Sequence, residues 1–190
     1  SSVLYDLRDE EGDGGIDSRD GNGAARTGGA SSGSATTATR KCSAVPTSAS
    51  GDENGTIYIS DSEIVVMTGG TVAWRNNNPG NIISGRFATA HGSIGIATYP
   101  TGYSFAIFST FDEGQSAREA LWHGTYGNQS LLSALSRWDP YNEAYPTQVL
   151  GTAGLSADAT FDSLSQQDRD SLLAAQQRWE GFSPGQVLVI

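Results

Sequence analysis

Lysine is almost missing from this chain: Lys41 is the only one in 190 residues, and eleven basic side chains face twenty-one acidic ones, for a formal charge of −10. That deficit excludes a class of function, because a phosphate backbone is bound through a cationic footprint and an anionic bilayer repels an acidic surface. Nucleic acid is therefore not an expected partner. Cysteine is as scarce. Cys42 stands alone, so no intramolecular disulfide can form, and His91 and His123 have no cysteine or close carboxylate at zinc-ligand spacing. Neither a metal site nor a cofactor is expected. No apolar run approaches the roughly 18 residues that cross a bilayer, and the N-terminus lacks the charged, apolar and small-residue succession of an export signal. The chain reads as soluble, without membrane insertion and without an export signal of its own.

What is abundant at the start is small and polar. Residues 1–20 carry seven acids against Arg8 and Arg19, and from Gly12 to about Gly55 the chain is dominated by Gly, Ser, Ala and Thr. Such a composition buries too little apolar surface to offset the entropy of ordering. Residues 1–55 are expected to form a flexible linker, which makes the remainder the terminal module of something longer. Asp13, Asp17 and Asp20 lie among glycines, but their spacing fits no EF-hand. They read as a solvated acidic stretch.

From Thr56 onward the pattern is that of a folded domain, residues 56–190. TIYIS and EIVVMT are β-branched runs separated by Asp61-Ser62, which predicts a hairpin, and YSFAIF at 103–108 predicts a third strand after the turn at Pro100–Gly102. Helices follow. Thr110 with Glu113 is a capping-box pattern, QSLLSALSRW reads as a second helix stopped before Pro140, and Pro146 opens a third. The fourth starts at Ser165 with Asp168 and repeats Leu172, Ala175 and Trp179 at helical spacing up to Gly181. The class is α+β, a small antiparallel sheet followed by a mainly helical half.

The chemistry has to be sought around AWRNNNPGNI, residues 73–82. Pro79 presets φ for the second position of a turn and Gly80 accepts a positive φ at the third, so Asn78–Asn81 is expected to form a type II turn. Asparagines beside such a turn often bond their own backbone, yet three in a row exceed that need. Each carboxamide offers two donors and an acceptor, a match for sugar hydroxyls and N-acetyl groups, so Asn76, Asn77, Asn78 and Asn81 read either as a substrate cradle or as a rigid loop. Trp74 could face a pyranose ring or anchor the core, and Tyr103 could line a cleft or fill the interior.

Amides do not exchange protons at ordinary pH, so an acid must come from a carboxyl group. Glu113 is accounted for by its capping box, Glu119 by a solvated helix face after Arg118, and Glu143 by a helix start, where acids suit the macrodipole. Glu63 opens an apolar strand shortly before the asparagines and stays a candidate, as does Glu113. Glu180 differs: it ends a long helix in RWEGFSPG, flanked by Trp179 and Phe182. A negative charge there opposes the helix dipole and loses water to its neighbours, and both effects raise a carboxyl pKa. That is the specification of a general acid; the bland alternative is an ion pair with Arg178 or another surface arginine.

GGTVAWRNNNPGNI, GRFATAHGSIG, YSFAIFSTFDEGQSAREAL, RWDPYNEAY and RWEGFSPG together resemble a lysozyme-like domain of phage virion-associated proteins and of type VI secretion cell-wall effectors, over about residues 56–186. RWEGFSP is also similar to the glutamate-bearing helix end of soluble lytic transglycosylases. NNNPGNI followed by FAIF is similar to a segment of cell-wall glucosaminidases, and the acid-first order of those relatives nominates Glu63. The resemblance implies cleavage of the β-1,4 bond between N-acetylmuramic acid and N-acetylglucosamine in peptidoglycan. Glu180 would be the acid, the four asparagines would hold acetamido and hydroxyl groups, and Arg75 would meet lactyl or peptide carboxylates. It implies delivery as cargo to a target cell's periplasm by a contractile secretion system or a phage. An immunity protein and an upstream delivery or catalytic domain are the further partners it implies. Two other classes stay open: a noncatalytic glycan-binding module, and an amidase or peptidase using Cys42 with a histidine, which iodoacetamide would inactivate.

Overall fold

The structure, a computed structural model, describes residues 44–190. The acidic start, most of the Gly/Ser tract and Cys42 lie outside the described residues, and the expectations for them with it. Alternation of apolar residues places the first hairpin. β2 (Gly55–Ile59) and β3 (Ile64–Thr68) pair antiparallel in the register Thr56↔Met67 and Ile59↔Ile64. Tyr58, Val65 and Met67 point inward, while Ile57, Ile59 and Ile64 stay exposed on the other face.

The regular chain begins before Thr56, which corrects the expected boundary at residue 55: β1 (Ser48–Gly51) pairs antiparallel with β2 and parallel with β4 (Ser93–Thr98). Its sequence, SASG, has the composition of a linker, and it is a strand because ladders form on both its sides rather than through its own propensity. Gly95 of β4 lies so close to Ala49 that a Cβ would run into the Ala49 carbonyl. β5 (Ser104–Phe108) fulfils the expected third strand, and β6 (Gln186–Val189) closes the order β5-β4-β1-β2-β3-β6. The sheet is mixed, not the small antiparallel sheet expected, because β1 and β4 run parallel.

Four helices lie where their caps predict. α3 (Phe111–Leu121) starts at Thr110, whose hydroxyl accepts from the Glu113 amide at 3.2 Å, and α4 (Leu131–Trp138) starts at Ser130. α5 (Tyr145–Ala153) carries Pro146 in its first turn and stops at Gly154, and Ser165 caps α6 (Gln166–Glu180). Two short helices, α1 (Val72–Arg75) and α2 (Arg86–Ala90), were not signalled by any long periodic run. A π-helical turn, Trp122–Tyr126, follows α3 and turns both aromatics inward. Trp122 stacks on Trp138 and on Phe161, with centroids 5.4 and 5.0 Å apart, and forms the centre of the helical core.

β5 joins the two halves. Ile107 belongs to the core under the sheet with Tyr58, Val65, Met67 and Trp74, while Ala106 and Phe108 belong to the helical core. The result is α+β, with the asparagine segment crossing between α1 and α2 against the free side of β5. Gly114, on the first turns of α3, rests on that segment: a Cβ there would strike the Asn77 carbonyl and come within 3.0 Å of Pro79 Cδ. Gly114→Ala should therefore destabilise the domain by about 1–3 kcal/mol, the usual cost of overpacking. Denaturant titration checks this, and an unmoved midpoint would show that α3 does not lean on the loop.

Candidate active site

The three consecutive asparagines are buried, at 0, 2 and 1% exposure for Asn76, Asn77 and Asn78. Asn78 donates to the carbonyls of Ile82 and Ala106 at 2.9 and 3.0 Å and accepts from the Ile82 amide at 2.8 Å. Asn77 donates to the carbonyls of Phe108 and Ser109 at 3.1 and 3.2 Å. Asn76 accepts from the Thr56 hydroxyl at 2.6 Å and donates to the Tyr99 hydroxyl at 3.4 Å. Asn77 Oδ1 is buried without a partner among the described residues, and the other amide groups are spent on the protein's own backbone and hydroxyls, which overturns their reading as a substrate cradle in favour of the rigid loop. Asn81 alone stays half-buried.

The neighbours are reassigned with them. Arg75 is 6% exposed and donates to the Gly69 carbonyl at 3.1 Å and the Gly70 carbonyl at 3.4 Å, so it closes the turn before α1 and does not reach out to a substrate carboxylate. Trp74, at 7%, is the core anchor under the sheet. Tyr103 remains partly exposed just before β5 and accepts from the Tyr99 amide through its carbonyl. The Asn78–Asn81 turn closes by Asn81 N–H to the Asn78 carbonyl at 3.0 Å, but it is not type II: Asn77 and Asn81 take the positive φ values, 51° and 48°, and Gly80 does not. Gly80 is required for a different reason, since a Cβ there would sit 3.0–3.3 Å from the stem of Arg118.

The candidate acids separate cleanly. Glu63 closes the β2–β3 turn and accepts from the Ala44 amide at 3.0 Å, and Glu113 is an exposed capping residue. Glu180 stands apart from both. The residue is half-buried, yet its carboxyl is enclosed: Oε1 accepts from the Tyr145 hydroxyl at 2.6 Å, while Oε2 is shut off from solvent without a hydrogen-bond partner. Burial raises its pKa from 4.5 to about 7; the hydrogen bond from Tyr145 and the charge of Arg118 pull the other way, and the charge of Asp139 adds to the rise. The flanking aromatics contribute differently from expectation. Trp179 is 44% exposed and donates to the Thr152 hydroxyl at 2.8 Å on α5, so the dryness comes from the packing of α5 and α6 rather than from the indole next in sequence.

Two contacts bring this acid to the asparagine loop. Beyond Gly181 the chain doubles back, and the Thr71 amide donates to the Ser183 carbonyl at 3.0 Å while Ser183 N–H returns a bond to the Thr71 hydroxyl at 3.2 Å. Thr71 is the cap of α1, which leads directly into Asn76. From the other side Arg118, 1% exposed, lies along Gly80, reaches the Pro79 carbonyl at 3.5 Å and acts on Glu180 through its charge. Of the residues singled out from sequence, the fold thus links Glu180 indirectly, through Ser183 and Arg118, to the Asn76–Asn81 loop, while Glu63 and Glu113 lie at a strand turn and a helix start.

Four residues of the site were not foreseen. Arg118 figures in the sequence only as the neighbour of Glu119, although Gly80 opposite it is the signal that a side chain must fit there. Asp139 and Tyr145 both lie in RWDPYNEAY, where Pro140 and the aromatics already mark a special turn. Gln176 is fully buried on α6, one helical turn before Glu180; a polar residue on an apolar helix face was the available clue. No family model matches the chain, and no curated protein or solved structure matches it either.

The site sets a pH dependence of stability. A carboxyl whose pKa rises from 4.5 to about 7 on folding binds its proton more tightly in the native state, so stability is greatest below about pH 4.5 and declines as pH rises through about 7. The decline amounts to on the order of 3 kcal/mol. Glu180→Gln should remove this component, so the mutant gains on the wild type between pH 5 and pH 8. Paired urea titrations measure the difference, and a gap that does not change with pH would contradict the burial of this carboxyl.

Proposed function

We propose that the domain cleaves the glycan strands of peptidoglycan at the β-1,4 bond between N-acetylmuramic acid and N-acetylglucosamine, with Glu180 as general acid. The observation that carries the reading is one enclosed carboxyl group, its pKa raised to about 7 by burial, with one oxygen fixed by Tyr145 and the other unpartnered among the described residues, tied through Ser183 and Arg118 to the asparagine loop. The sequence likeness over residues 56–186 supplies the substrate class, and the sheet with its helical half is then a lysozyme-like arrangement. Noncatalytic glycan binding needs no carboxyl of raised pKa, which favours the enzyme.

In the reaction the glycosidic C–O bond breaks, its electron pair stays on the leaving oxygen, and that oxygen takes the proton from Glu180. The oxocarbenium-like sugar is steadied by the nearby charge of Asp139 or by the substrate's own N-acetyl group. Water then adds, or the sugar's 6-hydroxyl closes an anhydro ring, and the proton released from that attacking oxygen restores Glu180. Because Oε2 is closed off in this state, substrate binding has to open a path to it. Asn81 and Tyr103, which keep exposure, are the sequence-derived candidates for contact with sugar. The setting that goes with this reading is antibacterial: delivery by a contractile machine or phage into a target periplasm, with an immunity protein as partner of the toxin.

Glu180→Gln should abolish release of soluble muropeptides from purified sacculi, at least 100-fold as for loss of a general acid, while the mutant still melts cooperatively. Activity of the wild type should fall as pH rises through about 7, because the protonated carboxyl is the active form. Mass spectrometry of the products decides the branch: reducing ends mean hydrolysis, and anhydro ends mean transglycosylation. Sacculi that sediment the protein without release would establish the binding module instead, and severed stem peptides would establish an amidase or peptidase.

A further inference from the structure

A buried file of hydrogen bonds runs behind Glu180 and has a direction. Trp122 Nε1–H donates to Gln176 Oε1 at 2.9 Å, Gln176 Nε2–H donates to the Tyr145 hydroxyl at 3.3 Å, and Tyr145 O–H donates to Glu180 Oε1 at 2.6 Å. All three relay residues are buried: Trp122 and Gln176 at 0%, Tyr145 at 2%. An indole nitrogen can only donate, so it fixes which end of the Gln176 amide faces it. The other end of that amide is then a donor, so the Tyr145 oxygen accepts and its one hydrogen is left for Glu180.

We infer that Trp122, Gln176 and Tyr145 are positioning residues that assign the proton of neutral Glu180 to Oε2. Oε1 is engaged as an acceptor, and an oxygen already accepting the Tyr145 hydrogen is the poorer place for the acid's own proton. Oε2 has no partner among the described residues, so the proton it carries is the transferable one. The inference rests on the glycosidase reading for the use made of that proton, though the directed file itself does not. The ionisable groups facing Glu180 are Tyr145 from α5, Arg118 from α3 and Asp139 after α4. Arg118 and the Tyr145 bond favour the charged carboxylate, while Asp139 opposes it. Removing the hydroxyl therefore has a signed consequence.

Tyr145→Phe keeps the ring and deletes the donor. In a carbon-13 NMR titration of the Glu180 carboxyl in the full chain, the midpoint should move up by about one pH unit, from the strength of a hydrogen bond to a charged acceptor. In muropeptide release the alkaline limb should follow it upward, and kcat should drop while KM stays within about twofold. A mutant whose kcat falls with the titration midpoint unmoved would overturn the inference, since a merely structural tyrosine lowers activity in that way. A second measurement needs no variant. In the wild type, the Trp122 indole N–H and Tyr145 hydroxyl resonances should shift with the same midpoint as Glu180, and an indole indifferent to that titration would refute the directed file. A correlated titration in a protein that releases no muropeptides would retain the file and reject the glycosidase.

Discussion

The arrangement depends on a run of three buried asparagines that closes the edge of one strand. The side-chain amides of Asn77 and Asn78 donate to the carbonyls of Phe108, Ser109 and Ala106, the backbone carbonyl of Asn76 accepts from the Phe108 amide, and Ile82 and Ser84 complete the border with backbone bonds. A buried carbonyl left without a donor costs about 1–3 kcal/mol, so the segment cannot leave β5 piecemeal. Strand β5 is buried on both faces and belongs to both cores. Whatever fixes its edge fixes the two halves of the domain to one another.

From that edge the geometry of the acid follows. Asn77 brings its carbonyl against Gly114, which sets where α3 lies, and α3 in turn lays Arg118 along Gly80. Arg118 then reaches toward Glu180 from the loop side, while Tyr145 and Gln176 hold it from the helical side. A carboxyl enclosed between an arginine and an aspartate can be tuned by small displacements, because the opposing charges act at short range in a medium of low polarity. The rigidity supplied by the asparagines is therefore a condition of the acid's electrostatics, even though no asparagine side chain bonds the acid.

The sequence was most readable where local physics decides. The hairpin, the four longer helices and their caps followed from period and from Thr110, Ser130, Ser165 and Pro146. Glu180 stood out because a helix end with bulky neighbours is a poor place for charge. Strand β1 could not be read, since SASG owes its conformation to partners distant in sequence, and β4 was obscured by Gly92, which takes a positive φ just before it, and by Gly95, whose lack of a side chain lets β1 pack against it. The asparagines are legible as unusual, but the sequence leaves cradle and rigid loop side by side, because an amide suits a sugar and a strand edge equally well. Only the position of β5 discriminates, and that is a tertiary fact. Arg118, Asp139 and Gln176 escaped for the same reason: burial of a polar side chain depends on what faces it.

An ionisable group in a dry site is costly, and simple stability would replace it. Glutamine at residue 180 would keep an acceptor for the Tyr145 hydroxyl and remove the titrating charge, so neither packing nor hydrogen bonding demands the acid. What glutamate alone adds is a proton that can leave. Arg118 bonds the Pro79 carbonyl and the Gln115 side chain, and its charge also favours the ionised carboxyl against the burial that opposes it. Tyr145 contributes to the same end, because its hydrogen bond to Oε1 strengthens when the charge appears. The site thus combines burial, which keeps the proton on, with two groups that limit the cost of giving it up. These opposing influences leave the carboxyl with a pKa raised to about 7.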